Sequence, residues 1–228
     1  MTETKIAAET ATATAARTPL SRDRVLRAAV ELADTDGIKA VTMRRLAQAL
    51  GVEAMTLYYH VANKAALFDG IAELVTAEVD LPEAAGDWRA EIRHIATSAY
   101  KVYLRHPWAP NLVLNTHAGD ARMRYMNALL GTLRRAGFTA AETDHAYHAV
   151  ESHIMGFTLW EVGMDLGPPE ELRAMATAFV EQLDTDAFPF VAEHVGEHLR
   201  PGRSEEEGDF AYGLDLILDG LERKLAAG

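Results

Sequence analysis

Residues 42–64, TMRRLAQALGVEAMTLYYHVANK, decide the fold of the N-terminal part of the chain. Apolar residues keep helical spacing on both sides of Gly51, with Leu46, Ala47 and Leu50 before it and Val52, Leu57 and Val61 after it. Because glycine adopts the left-handed conformation at no steric cost, Gly51 can end the first helix sharply and let the second cross it at a steep angle. The pattern therefore predicts a helix-turn-helix.

The second helix of this pair is predicted to present a polar and aromatic face to solvent. Its apolar residues occupy one side only, which leaves five residues to divide between packing and the exposed face: Met55, Thr56, Tyr58, Tyr59 and His60. Such a face fits the DNA major groove, which admits one helix and presents donors, acceptors and thymine methyl groups. The alternative is a small helical hairpin buried in a larger bundle.

Positive charge and a helix end lie beside that face. Arg44, Arg45 and Lys64 flank it, and Thr42 can cap the first helix of the pair. The unpaired backbone N–H groups and the positive dipole end of a capped helix favour a phosphate. We therefore expect this segment to bind DNA.

The formal net charge of −12 argues against nucleic acid at first sight, but the charge is unevenly distributed. Residues 17–64 hold eight Lys and Arg against five Asp and Glu, whereas residues 65–228 hold thirteen against twenty-seven. Charge asymmetry between regions steers association more than the total does. We expect a mildly basic head to dock on DNA while an acidic body points away.

Composition limits the class of protein. The chain has no cysteine, which suits a reducing cytoplasm, and no apolar run approaches the roughly 18 residues that span a bilayer. Glycine and proline lie between helix-periodic segments, and alternating β-branched patterns are few, so we predict an all-α fold. Residues 1–19 are rich in Ala and Thr and are expected to form a disordered arm. We expect a cytoplasmic protein with no membrane partner.

Helix boundaries follow from caps, glycines and prolines. Ser21 is predicted to start the first helix and Gly37 to close it, while Asn63 starts a fourth helix that ends before Leu81 and Pro82. Further helices are predicted from Asp87 to His106, over residues 107–115, over residues 120–136, from a Thr139–Glu142 capping box to about residue 164, and over residues 168–184. Residues 184–203 are expected to be irregular, with one or two helical turns. A second capping box, Ser204 with Glu207, is predicted to open the last helix.

These elements predict two domains, a helix-turn-helix DNA-binding domain at residues 20–66 and a larger helical ligand-binding and dimerisation domain at residues 67–228. The eighth helix is expected to carry Ala146, Val150, Ile154, Phe157 and Trp160 inward. The last helix has a wide apolar stripe that includes Leu214 and Leu218, and such a stripe needs cover from more than one neighbour. We expect the eighth and last helices to form a two-fold, four-helix homodimer interface. The alternative is that both are core helices of a monomer.

Residues 21–75 resemble the N-terminal domain of the TetR/AcrR family of bacterial regulators. Residues 50–67, LGVEAMTLYYHVANKAAL, are most similar to its tetracycline-repressor subgroup, because the turn glycine, the Thr-Leu-Tyr core, the following histidine and the Asn-Lys pair fall in register. The resemblance implies DNA contacts from Thr42, Arg44, Thr56, Tyr58, His60 and Lys64, and Met55 lies on the same face. Ala54 and Met55 replace the subgroup's Gln-Pro. Because glutamine can bond adenine and alanine cannot, we predict a different operator.

Helices five to eight could surround a ligand pocket, since clefts between bundle helices are common ligand sites. A packed core explains the same aromatic and methionine side chains equally well, and the resemblance favours a small-molecule effector. In the subgroup's register, ligand-binding positions fall at Ile95 and Ala99 and a metal-binding histidine falls at Val113. Loss of those polar groups predicts a mainly apolar ligand. The candidate ligand-binding residues are Ile95, Ala99, Tyr103, Trp108, Val113, Met126, Leu130, His148, Phe157 and Trp160.

Two histidine patterns suggest a metal-dependent hydrolase as an alternative. Glu142, His145, His148 and Glu151 step by three along the eighth helix, but such steps drift around a helix. Residues 194–198, HVGEH, match the H-x-x-E-H string, yet that string needs an intact helix, and Gly196 is expected to interrupt it. We therefore predict no metal, no cofactor and no enzymatic activity.

The sequence thus predicts a dimeric, ligand-responsive transcriptional regulator, a repressor that binds double-stranded DNA at a palindromic operator. A small molecule in the body would favour one arrangement of the fourth helix and so release the operator. Two alternatives remain open at this point, a regulator that needs no ligand and the metal-dependent hydrolase.

Overall fold

The computed structural model of the protein describes residues 19–83, 86–163, 169–199 and 208–227. Within these residues the chain forms eleven α-helices and one short 3-10 turn. The predicted arm at residues 1–19 lies outside the described residues except for Pro19. The helices are α1 (Arg22–Asp36), α2 (Met43–Leu50), α3 (Ala54–Leu57), α4 (Lys64–Thr76), α5 (Trp88–Arg105), α6 (Ala109–Asn115), α7 (Asp120–Ala136), α8 (Ala140–Gly163), α9 (Pro169–Gln182), α10 (Pro189–His198) and α11 (Gly208–Ala227).

The all-α prediction is confirmed, and the predicted caps lie where the sequence places them. The side chains of Ser21, Thr42 and Asn63 each accept a hydrogen bond from a backbone N–H of the following helix. Gly51 adopts the left-handed conformation at φ 66° and ψ 36° and ends α2. A side chain with a Cβ atom would be strained there, which explains the sharp turn into α3.

The second helix of the pair is shorter than its apolar spacing suggests. After Leu57 the backbone tightens, since the N–H groups of Tyr58 and Tyr59 bond the carbonyl oxygens of Met55 and Thr56, three residues back, at 3.3 Å. The same three-residue pattern continues at His60, whose N–H donates to the Leu57 carbonyl oxygen at 2.9 Å. Leu57 itself is fully buried beneath this segment. Burial of one such side chain contributes about 2 kcal/mol.

Helix α4 joins the helix-turn-helix to the body. Leu67, Ile71 and Val75 are fully buried, and α4 packs against α1 on one side and against α6 and α7 on the other. The helix ends at Thr76, earlier than predicted, because the chain turns through residues 77–79 with N–H bonds to the carbonyls of Glu73, Val75 and Thr76. Any movement of the body can reach the DNA-binding part through this helix.

The body is built around α5, which packs against α7, α8 and α11. The predicted capping box at α8 is confirmed, since the Thr139 N–H and hydroxyl donate to Glu142 and the Glu142 N–H donates back to the Thr139 hydroxyl at 3.3 Å. Arg89 on α5 forms ion pairs of 2.6 Å with Asp219 and Glu222 and so fixes α11 on the outside of α5.

The buried face of α7 consists of Ala121, Tyr125, Leu129, Thr132 and Leu133, while Met123 is exposed. Two predictions about the body need correction. Trp160 is 67 % exposed, because it lies six residues beyond the buried Ile154 and is therefore rotated by about 240° around α8. Residues 189–198 form a helix of ten residues that includes Gly196, because one glycine costs a helix only about 1 kcal/mol. The predicted Ser204–Glu207 capping box lies outside the described residues.

No helix among the described residues is both long enough and apolar enough to cross a bilayer.

Candidate nucleic-acid interface and effector site

The exposed side of α3 and the turn after it carry the predicted base-reading residues. Met55 is 70 % exposed and Tyr58 is exposed beside it, whereas Thr56 and His60 are half-buried. Leu57 is fully buried and fixes this segment from beneath.

Tyr59 is the most exposed aromatic side chain of this segment, at 88 %. The resemblance implies no DNA contact for it. Its position in the turn after α3 nevertheless places it next to the predicted base-reading residues.

The flanking cations differ in their availability. Arg45 is engaged, since its guanidinium pairs with Asp36. Arg44 is exposed and forms no ion pair with any described residue. Lys64 is exposed at the first position of α4, with its ammonium 4.9 Å from the centre of the Phe68 ring. Arg44 and Lys64 are therefore free to bind phosphate, while Thr42 caps α2 and leaves its other N–H groups at the same end.

Inside the body, α5, α7 and α8 bring polar side chains together. The Tyr125 hydroxyl donates to Oε2 of Glu151 at 2.8 Å, and Tyr103 and Tyr147 are buried close enough for the charge of Glu151 to act on them. We call Tyr103, Tyr125, Tyr147 and Glu151 the Tyr–Glu cluster. No described residue forms a hydrogen bond with the Tyr103 hydroxyl, although this side chain is only 1 % exposed.

Burial dominates the electrostatics of this cluster. Removal from water raises the pKa of Glu151, and the hydrogen bond from Tyr125 and the charges of Arg122 and His148 only partly oppose it. The same desolvation, with the nearby negative charge of Glu151, raises the pKa of Tyr147 to about 12. It raises the pKa values of Tyr103 and Tyr125 well above the ordinary range. The three phenols are therefore hydrogen-bond donors at neutral pH.

Several predicted ligand-binding residues lie around this cluster. Ile95, Ala99 and Tyr103 are buried on α5, and Val113 is buried on α6. Arg122 on α7 donates to the carbonyl oxygens of Val113 and Thr116, so it joins the cluster to the end of α6. Met126 and Leu130, the two α7 residues of the predicted set, follow Arg122 at four-residue steps and lie at the edge of the buried face. They line an open hollow of about 460 Å³.

The remaining members of the predicted set lie elsewhere. Trp108 is at the junction with α1, where its indole N–H donates to Asp34 at 2.7 Å. Phe157 packs edge-on against Tyr100 and Phe210, between α5 and α11. His148 faces solvent beside Asp144, and Trp160 is on the exposed side of α8. The structure therefore does not bring Trp108, Phe157 and Trp160 together with the Tyr–Glu cluster, whereas the ring of His148 packs edge-on against Tyr147 with 5.2 Å between ring centres.

Sequence reasoning missed Tyr125, Tyr147 and Arg122, and it considered Glu151 only as a metal ligand. The spacing of Tyr125 and Glu151 along their helices could have revealed both residues. Tyr125 lies four residues from Ala121 and from Leu129, and Glu151 lies between Val150 and Ile154, so both share faces with apolar residues. A carboxylate on an apolar face needs a buried donor, and a tyrosine at apolar spacing on a neighbouring helix can supply one.

Carboxylates of α4 hold the segment between α6 and α7. Asp69 accepts a hydrogen bond of 3.1 Å from the N–H of His117, and Glu73 accepts one from the N–H of Ala121 at the start of α7. Both bonds satisfy backbone groups that a loop or helix start leaves without partners. The end of α6 is thus tied to α7 through Arg122, and the start of α7 is tied to α4.

A second polar junction links the body to α1. Ring nitrogens of the buried His106 lie 2.8 Å from Asp34 and 3.3 Å from Glu78. Partial burial raises the pKa of Glu78, but hydrogen bonds and charge from Arg105 and His106 outweigh it and hold this pKa below its ordinary value. Because Asp34 belongs to α1, this junction fixes the helix-turn-helix relative to α5.

No group of three or more His, Asp or Glu side chains in the described ranges is arranged to hold a metal ion. Glu142 and Glu151 point to different partners, Thr139 and Tyr125 respectively. The three-residue steps along α8 therefore separate these carboxylates instead of converging them.

Comparison with known proteins agrees with this architecture. A family model described as "Bacterial regulatory proteins, tetR family" matches residues 25–71, and one described as "Tetracyclin repressor-like, C-terminal domain" matches residues 81–225. The chain is 30 % identical over 215 residues to the HTH-type transcriptional repressor DrrR1 of Streptomyces coeruleorubidus, and the match covers 89 % of this chain and 77 % of the relative.

Solved structures show the same fold. ActR, a TetR family protein of Streptomyces coelicolor in complex with actinorhodin, has a TM-score of 0.75 at 24 % identity, and the match covers 91 % of this chain and 99 % of that one. A TetR variant from Acinetobacter baumannii AYE in complex with minocycline has a TM-score of 0.65 at 25 % identity, with 90 % of this chain and 98 % of that one covered. Since one family's models match both halves of the chain, the protein belongs to the TetR family of bacterial transcriptional regulators.

Proposed function

We propose that the protein is a dimeric repressor that binds a palindromic operator and releases it when a small, mainly apolar molecule binds the body. Regulators of the TetR family are DNA-binding proteins and not enzymes, which removes the hydrolase alternative. The observation that carries the proposal is the outward side of α3, where Met55 and Tyr58 are exposed. Arg44 and Lys64, which precede and follow them in the chain, are exposed cations that form no ion pair with any described residue. We assign base contacts to Met55, Thr56, Tyr58 and His60 and phosphate contacts to Thr42, Arg44 and Lys64.

A dimer is supported by the surfaces of α8 and α11. Tyr212 and Leu216 lie one turn apart on α11 and are 67 % and 56 % exposed, and Trp160 is exposed on the adjacent α8. The outer side of α8 otherwise carries Ala149, Ser152 and Gly156, whose small side chains permit close approach of another helix. Two copies joined here would present two α3 segments to half-sites about 34–36 Å apart, one turn of DNA, or a multiple of this spacing.

Release of DNA is proposed to pass through α4. Arg122, whose charge acts on Glu151, donates to carbonyl oxygens at the end of α6, and the carboxylates of α4 hold the α6–α7 segment. A ligand that displaced the end of α6 would therefore change the position of α4 and the separation of the two α3 segments. Such a ligand can weaken DNA binding only as far as its affinity for the displaced arrangement exceeds its affinity for the DNA-binding arrangement.

The proposed domain division is residues 20–66 for DNA binding and residues 67–228 for ligand binding and dimerisation. It is supported by the capped start of α4 at Asn63 and by the packing of α2 against both α1 and α3. The relative crystallised with minocycline supports a small-molecule effector, although the ligand of this chain can differ.

Fluorescence anisotropy with labelled DNA from directly upstream of the protein's own gene tests the proposal. We expect a dissociation constant of about 10⁻⁸ to 10⁻¹¹ M near physiological salt, with an affinity that falls steeply as salt is added and that an excess of unrelated DNA does not change. Equal affinity for upstream and unrelated DNA would overturn it. Operator binding that no small molecule changes would instead favour the ligand-independent alternative.

A further inference from the structure

We propose that the effector is an apolar organic cation whose protonated amine binds the Glu151 carboxylate within the Tyr–Glu cluster. This inference rests on the proposed function, because it names the chemical class of molecule that the body takes. The two are tested separately below.

The first observation is a half-buried carboxylate with an incomplete set of partners. Oε2 of Glu151 accepts the hydrogen bond from Tyr125, and no described residue donates to its other oxygen. No described cation forms an ion pair with Glu151, since Arg122 is engaged with carbonyl oxygens of α6 and His148 lies beside Asp144. Partial burial removes part of the hydration of this carboxylate, and a cationic ligand offsets that loss.

The second observation is independent of the first and concerns Tyr103. Its hydroxyl finds no hydrogen-bonding partner in the described part of the chain, although the side chain is almost fully buried. A ligand group can therefore form a hydrogen bond with this hydroxyl without displacing a protein partner. Tyr103 is on α5 and Glu151 is on α8, two helices that pack against one another, and the charge of Glu151 acts on Tyr103.

The third observation is the aromatic surround. Tyr103, Tyr125 and Tyr147 come from three different helices. Tyr125 bonds the Glu151 carboxylate directly, and Tyr147 lies one helical turn from it on α8. The faces of aromatic rings attract cations, and the effect increases where water is excluded. Aliphatic side chains on α5 and α6, including Ile95 and Val113, supply the apolar wall that the rest of the molecule would contact. This combination suits an amine on a hydrophobic body better than a neutral alcohol or an anion.

A matched pair of fluorescent probes tests the inference. Anthracenemethylamine is a cation at neutral pH, and anthracenemethanol is its uncharged counterpart of nearly the same shape. For the full-length protein we expect the amine to bind about tenfold more tightly than the alcohol, since a charge-assisted hydrogen bond is worth more than a neutral one. Anthracenecarboxylate should bind most weakly. Equal binding of amine and alcohol, or no binding of the amine, would overturn the inference.

Variants assign the preference to Glu151. Glu151→Gln keeps the shape and removes the charge, so the amine and the alcohol should then bind alike. The matched control is Glu161→Gln, because Glu161 is also on α8 and accepts a hydrogen bond from a tyrosine, Tyr100, but lies outside the cluster. The preference should survive in Glu161→Gln and in Tyr125→Phe. A preference that survives in Glu151→Gln contradicts the assignment, and if that variant does not fold, the wild-type comparison of amine with alcohol still decides.

Operator binding in the same samples separates this inference from the proposed function. An amine that binds through Glu151 should release labelled operator, whereas the alcohol at equal concentration should not. If the protein binds its operator but shows no amine preference, only the inference about the effector fails. If it binds no upstream DNA specifically, the proposed function fails whatever the probes show.

Discussion

At the scale of single residues, the proposed DNA-reading surface contains residues that fix the backbone and residues that are free to bind. Leu57 is fully buried and fixes α3, while Met55 and Tyr58 project from the other side. Arg45 is held by Asp36, so the neighbouring arginine at position 44 is the one available to a ligand. This difference between adjacent arginines could not be predicted from the sequence, because Asp36 approaches Arg45 only through the packing of α1 on α2.

Removal of Arg44 or Lys64 should weaken operator binding in a salt-dependent way. Arg44→Ala and Lys64→Ala each leave one phosphate per subunit without its cation, so the slope of log affinity against log salt should fall by about 0.9 for each such phosphate. Anisotropy titrations at several salt concentrations measure this slope. Arg124→Ala is the matched control, because it removes one exposed cation from α7 in the body. An unchanged slope in both test variants would refute the phosphate assignments.

The cap at Thr42 makes a separate prediction about stability. Thr42→Ala leaves the Arg45 N–H without its partner at 3.2 Å and should lower the free energy of unfolding by about 1 kcal/mol. Thr42→Ser keeps a hydroxyl and should recover most of the loss. Urea unfolding followed by circular dichroism measures both variants. Equal stability of the serine and alanine variants would show that the cap contributes little.

At the scale of elements, α4 is attached to the body by carboxylates. The carboxylate of Glu73, a residue of α4, contacts the start of α7. The free N–H groups and the helix dipole at that end of α7 favour a negative charge. The sequence predicted that α4 connects head and body, but not which residues attach it. Asp69 and Glu73 contact positions 48 residues away along the chain, and no local pattern reports such a pairing.

Glu73→Gln should loosen this attachment without touching the DNA-reading surface. We expect operator affinity to change by about two- to tenfold, the size of effect typical of residues that couple distant sites. Asp120→Asn is the control, because it removes a carboxylate from the same turn of α7 that pairs with Arg124 on its own helix. Anisotropy with labelled operator compares the two variants. A change that is equal in both would point to general loss of charge near α7.

The junction of α1 with the body predicts a dependence of stability on pH. The pKa of Glu78 lies below its ordinary value of 4.5 in the folded protein, so the ionised form stabilises the fold above that pH. This contribution is lost as the pH falls from the ordinary pKa through the lowered one. Glu78→Gln should therefore lower the free energy of unfolding at neutral pH and make a smaller difference at an acidic pH below the lowered pKa, where wild-type Glu78 is protonated as well. Urea unfolding at both pH values measures the difference, and a loss that stays constant with pH would contradict it.

At the scale of the whole molecule, the exposed apolar side chains of α8 and α11 stay in contact with water unless a second copy of the chain covers them. Leu218, which the sequence placed on the same stripe, is fully buried within the subunit, so a substitution there would disrupt the fold of one chain. Leu216 and Tyr212 are the residues left open. The interface must therefore be tested at the exposed positions.

Leu216→Arg should convert the dimer to a monomer and lower operator affinity strongly, because one helix-turn-helix reads too few base pairs. Light scattering coupled to size-exclusion chromatography measures the mass. Leu114→Arg is the control, since Leu114 is a similarly exposed leucine on α6, away from α8 and α11. A Leu216→Arg protein that remains dimeric would rule out this interface.

The sequence by itself determined the helices, their caps and the helix-turn-helix, because these depend on interactions over three or four residues. Glycine at a left-handed position, hydroxyl and amide caps, and apolar spacing are all local, and the structure confirms them at Gly51, Thr42 and Asn63. Only the tertiary structure decided which side of α7 is buried, where Trp108 and Trp160 point, and that Tyr125 meets Glu151. Those outcomes depend on how helices far apart in the chain rotate and pack against one another, and the spacing within one helix does not carry that information.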